Sequence, residues 1–225
     1  MREIPILFST PMVQATLADR KTVTRRTVGL DMINQDPDKW KIYYIGNYYK
    51  GQNVFWVMFQ HLESRKRVSI KCPYGIKGDK LWFRETWALQ KYFNGLTEEC
   101  FPVYKADFDG PVSWNWKPSI HMPKTAARIW SEVSELRVER LHDITEEEAI
   151  KEGIEPLLAS GAQLATHGRL YKHYTEHNDG IFGTGLRPIK SYNTLWESIN
   201  GPESWELNPW VWVESFKVVS KTGRP

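Results

Sequence analysis

The sequence predicts an α+β fold: a small, mostly antiparallel β-barrel with short peripheral helices and inserted loops. Three observations lead there. At least five segments rich in β-branched and aromatic residues are bounded by turn residues, only three short stretches carry helix signals, and their order lacks the alternation of βαβ units. A length of 225 residues suits one domain, 1–225, enlarged by insertions at about 28–71, 88–116 and 156–190.

Ile4 to Phe8 reads as the first strand. Thr10-Pro11 then supplies an N-cap and a proline at the first helical position, and Met12, Ala15, Thr16 and Leu17 give that helix an apolar face. Lys21 to Val28 is extended, because Thr22, Val23, Thr24, Thr27 and Val28 are β-branched. Residues 29–76 predict a two- or three-stranded excursion built on Tyr43, Tyr44, Tyr48, Tyr49 and the Val54–Phe59 run, with Gly46 and Gly51 at turns. Gly78-Asp79 turns the chain into a strand at Lys80–Trp87, and a shorter strand falls at Val103–Ala106.

From Ala127 to Leu141 the chain is extended but changes parity: Ile129 and Val133 share one face, Leu136 and Val138 the other. A slip of one residue predicts a β-bulge or sharp bend near Ser134-Glu135. Thr145 and Glu148 form a capping box that opens a helix, which Gly153 closes. Residues 156–190 read as a glycine-punctuated insertion, followed by a helix from about Ser191 to Asn200 and a last strand at Trp210–Val219.

Composition narrows the function classes. With 25% charged and 41% hydrophobic residues the chain is neither disordered, collagenous nor a coiled coil. Two cysteines, Cys72 and Cys100, exclude a disulfide framework and a four-thiolate zinc site. The first residues lack the apolar core of a signal peptide, and the longest apolar run, Val54–Phe59, is too short for a membrane span. A cytoplasmic protein with no membrane contact is therefore expected, a monomer by default. Net charge is only +3, yet residues 1–80 hold 14 Lys and Arg against 7 Asp and Glu. Such a basic first third suits a polyanion such as RNA, or equally a solvated face. Eleven tryptophans beside 10 tyrosines and 9 phenylalanines imply a bulky core, a base-stacking surface, or both.

The densest polar cluster is Arg20-Lys21-Thr22-Val23-Thr24-Arg25-Arg26. Four cations and two hydroxyls in seven residues suit a groove for a phosphate or other polar ligand, or a charged edge strand. A lysine three residues from a threonine also permits a hydroxyl nucleophile activated by an amine. Positions three apart face opposite sides of a regular strand, so Lys21 would have to sit in the preceding turn or at a bulge. Glu85 and Trp87, in Trp82-Phe83-Arg84-Glu85-Thr86-Trp87, are substrate-binding candidates, as is the lone His121. His173-Tyr-Thr-Glu-His177 matches the spacing of an inverted zinc-protease string, but the Gly-rich surroundings argue against a helix there, so no metal or cofactor is expected.

Four collinear segments carry a family resemblance: PILFSTPMVQATLADRKTVTRR, CPYGIKGDKLWFRETW, KPSIHMPKTAARI with VERLHDITEEEAIKEGI, and LWESINGPESWELNPWVWV. In these the chain resembles the activating-signal-cointegrator homology (ASCH) domain of the PUA-like superfamily, in the longer form found in bacteria and prophages. The resemblance implies a PUA-like barrel and, by the family's best-described activity, an amidohydrolase that removes the acetyl group from N(4)-acetylcytidine. Its R-K-T-x-T-x-R motif falls on Arg20–Arg26, carrying a catalytic lysine to Lys21 and a threonine nucleophile to Thr24. Its glutamate falls on Glu152, after Ile144-Thr145-Glu146 and Ala149, while Arg25 and Arg26 become substrate-binding candidates. The partner so implied is a modified nucleoside or RNA. A non-catalytic RNA reader and a ribonuclease are the competing expectations. The same map assigns Trp82, Trp87, Trp196, Trp205, Trp210 and Trp212 to packing, and leaves Trp40, Trp56, Trp114 and Trp116 to stack on a base.

Overall fold

The computed structural model describes all residues except 94–97, 109, 111–112, 158–163, 165–167 and 176–184. Its central layer is a five-stranded sheet assembled from β1 (Glu3–Leu7), β2 (Val23–Arg26), β6 (Lys80–Arg84), β9 (Trp130–Arg140) and β10 (Trp210–Ser220), in the order β1-β6-β9-β10-β2. Only the β1–β6 pair is parallel. A second sheet comprises β3 (Trp40–Tyr49), β4 (Gln52–His61) and β5 (Arg67–Lys71), and β7 (Trp87–Phe93) pairs with β8 (Glu98–Tyr104). Helices α1 (Thr10–Leu17), α2 (Asp31–Asn34), α3 (Glu146–Lys151) and α4 (Pro188–Asn200) are the described α-helices, beside five short 3-10 turns.

The architecture is mixed α+β with mostly antiparallel sheets, and it departs from the expected barrel in one respect. Strands β1 and β2 form the two edges of the central sheet and do not pair, so the ladder stays open. The reason is local. Proline at its start turns the chain into α1 directly after β1, and β2 has only four residues before the turn into α2. What spans the seam instead is a side chain: Arg26 on β2 donates to the Leu7 carbonyl on β1 at 2.6 Å.

The parity change in β9 is a bulge. Ser215 of β10 faces Glu135 and Phe216 faces Val133, leaving Ser134 as the extra residue. Strand β10 is buried on both faces: Val211 and Val213 enter a core with Ile6, Phe83 and Trp196, while Trp210 and Trp212 enter another with Phe55, Phe59 and Leu30. Trp82, Trp87 and Trp130 share a third cluster with Met122. Glycine at 51 does turn the β3–β4 hairpin, but Gly46 lies inside β3, where a Cβ would come within 2.6 Å of the Trp56 ring nitrogen. That close approach buries Trp56, one of the residues expected to stack on a base. Among the described residues no helix is long and apolar enough to cross a membrane.

Candidate functional site

Helix α1 ends at Leu17, and Asp19 adopts φ 56° to turn the chain back. Lys21 therefore lies ahead of β2, outside the ladder, in an isolated antiparallel bridge with Glu152 at the end of α3. Freed from strand alternation, it lines the same cavity as Thr24. The capping box on Thr145 sets where α3 begins, and Gly153, at φ +89°, closes it directly against Lys21.

The cavity measures about 270 Å³ and is lined from both sides of the unpaired seam. Leu7 and Phe8 come from the β1 side, Thr24, Arg25 and Arg26 from β2, and Lys21 and Glu152 meet at its wall. Helix α4 supplies Tyr192, Leu195 and Trp196. The buried ammonium of Lys21 has three donors and three acceptors: Glu152 Oε2 at 2.9 Å, the Glu152 carbonyl at 2.8 Å and the Val23 carbonyl at 2.9 Å. Glu152 is in turn held by Arg25 at 3.2 Å and accepts from the Tyr192 hydroxyl at 3.3 Å.

Arg25 lines the cavity and pairs its guanidinium with carboxylates of the protein. Its side chain is fully buried and binds Glu139 at 2.7 Å and Glu148 at 2.6 Å as well as Glu152. Arg137 pairs with Glu139 and Glu148 from the other side. Three cations thus meet four carboxylates, counting the exposed Glu135 that Arg137 also reaches at 3.5 Å, which keeps a buried ionic cluster from leaving a lone charge. Arg26 is different. Among the described residues it has no carboxylate partner; its guanidinium lies over the rings of Phe8 and Tyr74, and its Nε is buried without a hydrogen bond. The Thr24 hydroxyl likewise has no hydrogen-bond partner among the described residues, although the residue is buried at the cavity wall.

Burial dominates the electrostatics. Desolvation pulls the Lys21 ammonium below the ordinary lysine range, against the pull of Glu152 and with the help of Arg26 and Arg25. Burial alone would also favour a neutral Arg25, but Glu152, Tyr192 and Glu139 together hold it charged. The Tyr192 hydroxyl is pushed well above its usual range by burial and by the neighbouring Glu152. Glu214 faces Thr24 across the β2–β10 ladder, is 1% exposed, and has neither carboxyl oxygen hydrogen-bonded among the described residues. Burial raises it to about 8, with Arg26 and Lys21 opposing, so it carries its proton at neutral pH.

Lys21, Thr24, Arg25, Arg26 and Glu152 thus come together, whereas Glu85, Trp87 and His121 lie elsewhere. Glu85 is fully buried and held by both Nε and Nη2 of Arg128, Trp87 packs in the cluster around Met122, and His121 is exposed on a single helical turn. Glu176 and His177 of the inverted zinc string lie outside the described residues. Tyr192 and Glu139 escape a reading by motif, since each sits in an ordinary helix or strand pattern, and Glu148 is legible only as the glutamate of the capping box. For Glu214 a signal exists: a glutamate between Trp210–Val213 and Phe216 interrupts the continuous apolar run of a doubly buried strand. Comparison with known protein families, curated proteins and solved structures returns no match to this chain.

Proposed function

We propose that this chain is a hydrolase of the ASCH kind that removes an acyl group from a modified nucleoside, with N(4)-acetylcytidine as the reference substrate. On this reading the open central sheet is a PUA-like barrel unlatched at one seam. The observation that carries the reaction is the convergence of Lys21, Thr24 and Glu152 on one cavity, with Lys21 hydrogen-bonded to Glu152. A volume of about 270 Å³ is at the small end for ligand pockets and suits a nucleoside better than a polymer.

The chemistry follows from the proton inventory. Lys21 has no lone pair while its three protons are engaged, so it first passes one to Glu152 across the 2.9 Å contact. Desolvation of the buried Lys21 ammonium favours its release of that proton. The Thr24 hydroxyl then attacks the acyl carbonyl as its proton moves to the neutral amine of Lys21. Arg26, with no carboxylate partner among the described residues, faces the developing oxyanion. Collapse breaks the C–N bond, the proton on Glu152 goes to the leaving amine, and the acyl group remains on Thr24 as an ester. Water attacks that ester as Glu152 takes its proton, Lys21 returns a proton to the Thr24 oxygen as free acid leaves, and Glu152 passes its proton back to Lys21.

A non-catalytic reader of modified bases draws its support from the same ion pair, since an ammonium with three satisfied donors is a stable structural element. Incubation with N(4)-acetylcytidine at micromolar enzyme decides between them. Release of cytidine and acetate, abolished in Lys21→Ala and Thr24→Ala, supports the hydrolase. Binding without turnover supports the reader, and cleavage of unmodified RNA, lost in Lys21→Ala, selects a ribonuclease.

A further inference from the structure

The β3–β4–β5 sheet has two unlike faces. One is apolar and packs inward through Ile42, Val57, Phe59 and Ile70. Cross-strand register places Lys41, Gln60 and Arg67 in one row of the other face, Tyr44, Met58 and Ser69 in the next, and Gly46, Trp56 and Lys71 in a third. The slip between Ile42 and Tyr44 makes Tyr43 an extra residue, and its ring lies 3.8 Å from the Arg67 guanidinium. Tyr44 and Tyr49 flank the Trp56 ring at 5.4 and 4.9 Å, and Lys71 lies 5.2 Å from Tyr49.

Two independent features mark this face as unpartnered. Tyr43 and Tyr44 are 49% and 55% exposed, although rings of this size are ordinarily more buried. Residues 39–71 also hold seven Lys and Arg against a single acid, Glu63. Among the described residues Lys41, Lys50, Arg65, Lys66, Arg67 and Lys71 form no ion pair. Flat rings interleaved with unpaired cations on an open sheet match the two needs of a flexible polyanion with aromatic faces: stacking for its bases and neutralisation for its phosphates. A duplex offers its phosphates but hides its base faces.

We propose that this face binds single-stranded nucleic acid, with bases on Tyr43, Tyr44 and Tyr49 and phosphates on Lys41, Arg67 and Lys71. The proposal stands apart from the reaction in the cavity, because none of these residues lines it.

The test is fluorescence anisotropy with labelled oligo-U and oligo-dT of about 12 nucleotides, within the span that one such platform covers. A duplex of equal length and anionic phosphatidylserine vesicles serve as rival probes. Saturable binding of either single strand, tighter than of the duplex, is expected. Tyr43→Ala with Tyr44→Ala weakens it by about tenfold or more with the salt dependence retained. Arg67→Gln with Lys71→Gln lowers the slope of log affinity against log salt by about 0.7 per cation. Circular dichroism confirms that each variant is folded. Equal affinity for duplex, indifference to the tyrosine pair, or capture by vesicles without oligonucleotide binding overturns the proposal. Nucleoside deacetylation is expected to be unchanged in these variants, which separates failure of this surface from failure of the cavity reading.

Discussion

Lys21 and Glu152 meet three times: through their backbones in an isolated β-bridge, through the Lys21 ammonium on the Glu152 carbonyl at 2.8 Å, and through their side chains in a buried 2.9 Å ion pair. The pair is asymmetric. Glu152 is Lys21's sole carboxylate partner among the described residues, whereas Glu152 also has Arg25 and Tyr192. Glu152→Gln leaves a buried ammonium without an anion and is expected to cost roughly 3–5 kcal/mol of stability. Lys21→Met leaves Glu152 bound twice and is expected to cost less than half as much. Urea unfolding of the two variants checks the order; equal losses would mean that the pair is not the organising contact.

Thr24 has the opposite profile. Its hydroxyl has no hydrogen-bond partner among the described residues, so Thr24→Ala is expected to change stability by less than roughly 1 kcal/mol. Turnover is nevertheless expected to fall by at least about a hundredfold, while Thr24→Ser retains part of it. Parallel melting curves and cytidine-release assays would expose a structural role if stability and turnover fell together.

Gly153 adopts φ +89°, and a Cβ there would lie 2.8 Å from the Cβ of Lys21 and 2.9 Å from that of Ala15. Gly153→Ala is therefore expected to destabilise the fold by roughly 1–3 kcal/mol and to displace Lys21 from the cavity. A turnover loss larger than that of an exposed control such as Lys151→Ala marks the displacement. Unchanged melting temperature and turnover would refute the close packing.

Glu214 makes stability depend on pH. Its folded pKa of about 8 exceeds that of an ordinary glutamate, 4.5, so the folded chain holds this proton more tightly than the unfolded one. The stabilisation is complete below about 4.5 and is lost as pH rises through about 8, with a slope near 1.4 kcal/mol per pH unit between. Glu214→Gln is expected to remove that slope and to be the more stable protein at alkaline pH. Coincident stability profiles for variant and wild type would contradict it.

How far the sequence discloses the molecule depends on whether a feature is local. The β9 bulge is legible because Val133 and Leu136 break a period of two, and the α3 cap because Thr145 and Glu148 stand three apart. Lys21 had to leave the strand for its side chain to join Thr24, and the bridge to Glu152 is how it does so. The rest is long-range. That β1 and β2 stay unpaired, that Arg25 serves three glutamates from two other elements, and that Glu85 is captured by Arg128 are facts of tertiary approach with no periodic signature. Trp196 shows the same limit: assigned to packing by its segment, it packs in the core and also lines the cavity.

The central claim is that Thr24 carries the acyl group, and a quenched-reaction mass spectrum reads it directly. Wild-type enzyme stopped during turnover of N(4)-acetylcytidine is expected to show one acetyl increment on the peptide containing Thr24, absent from Thr24→Ala. No release of cytidine by the wild type, or release that continues at the wild-type rate in Thr24→Ala, would contradict the account.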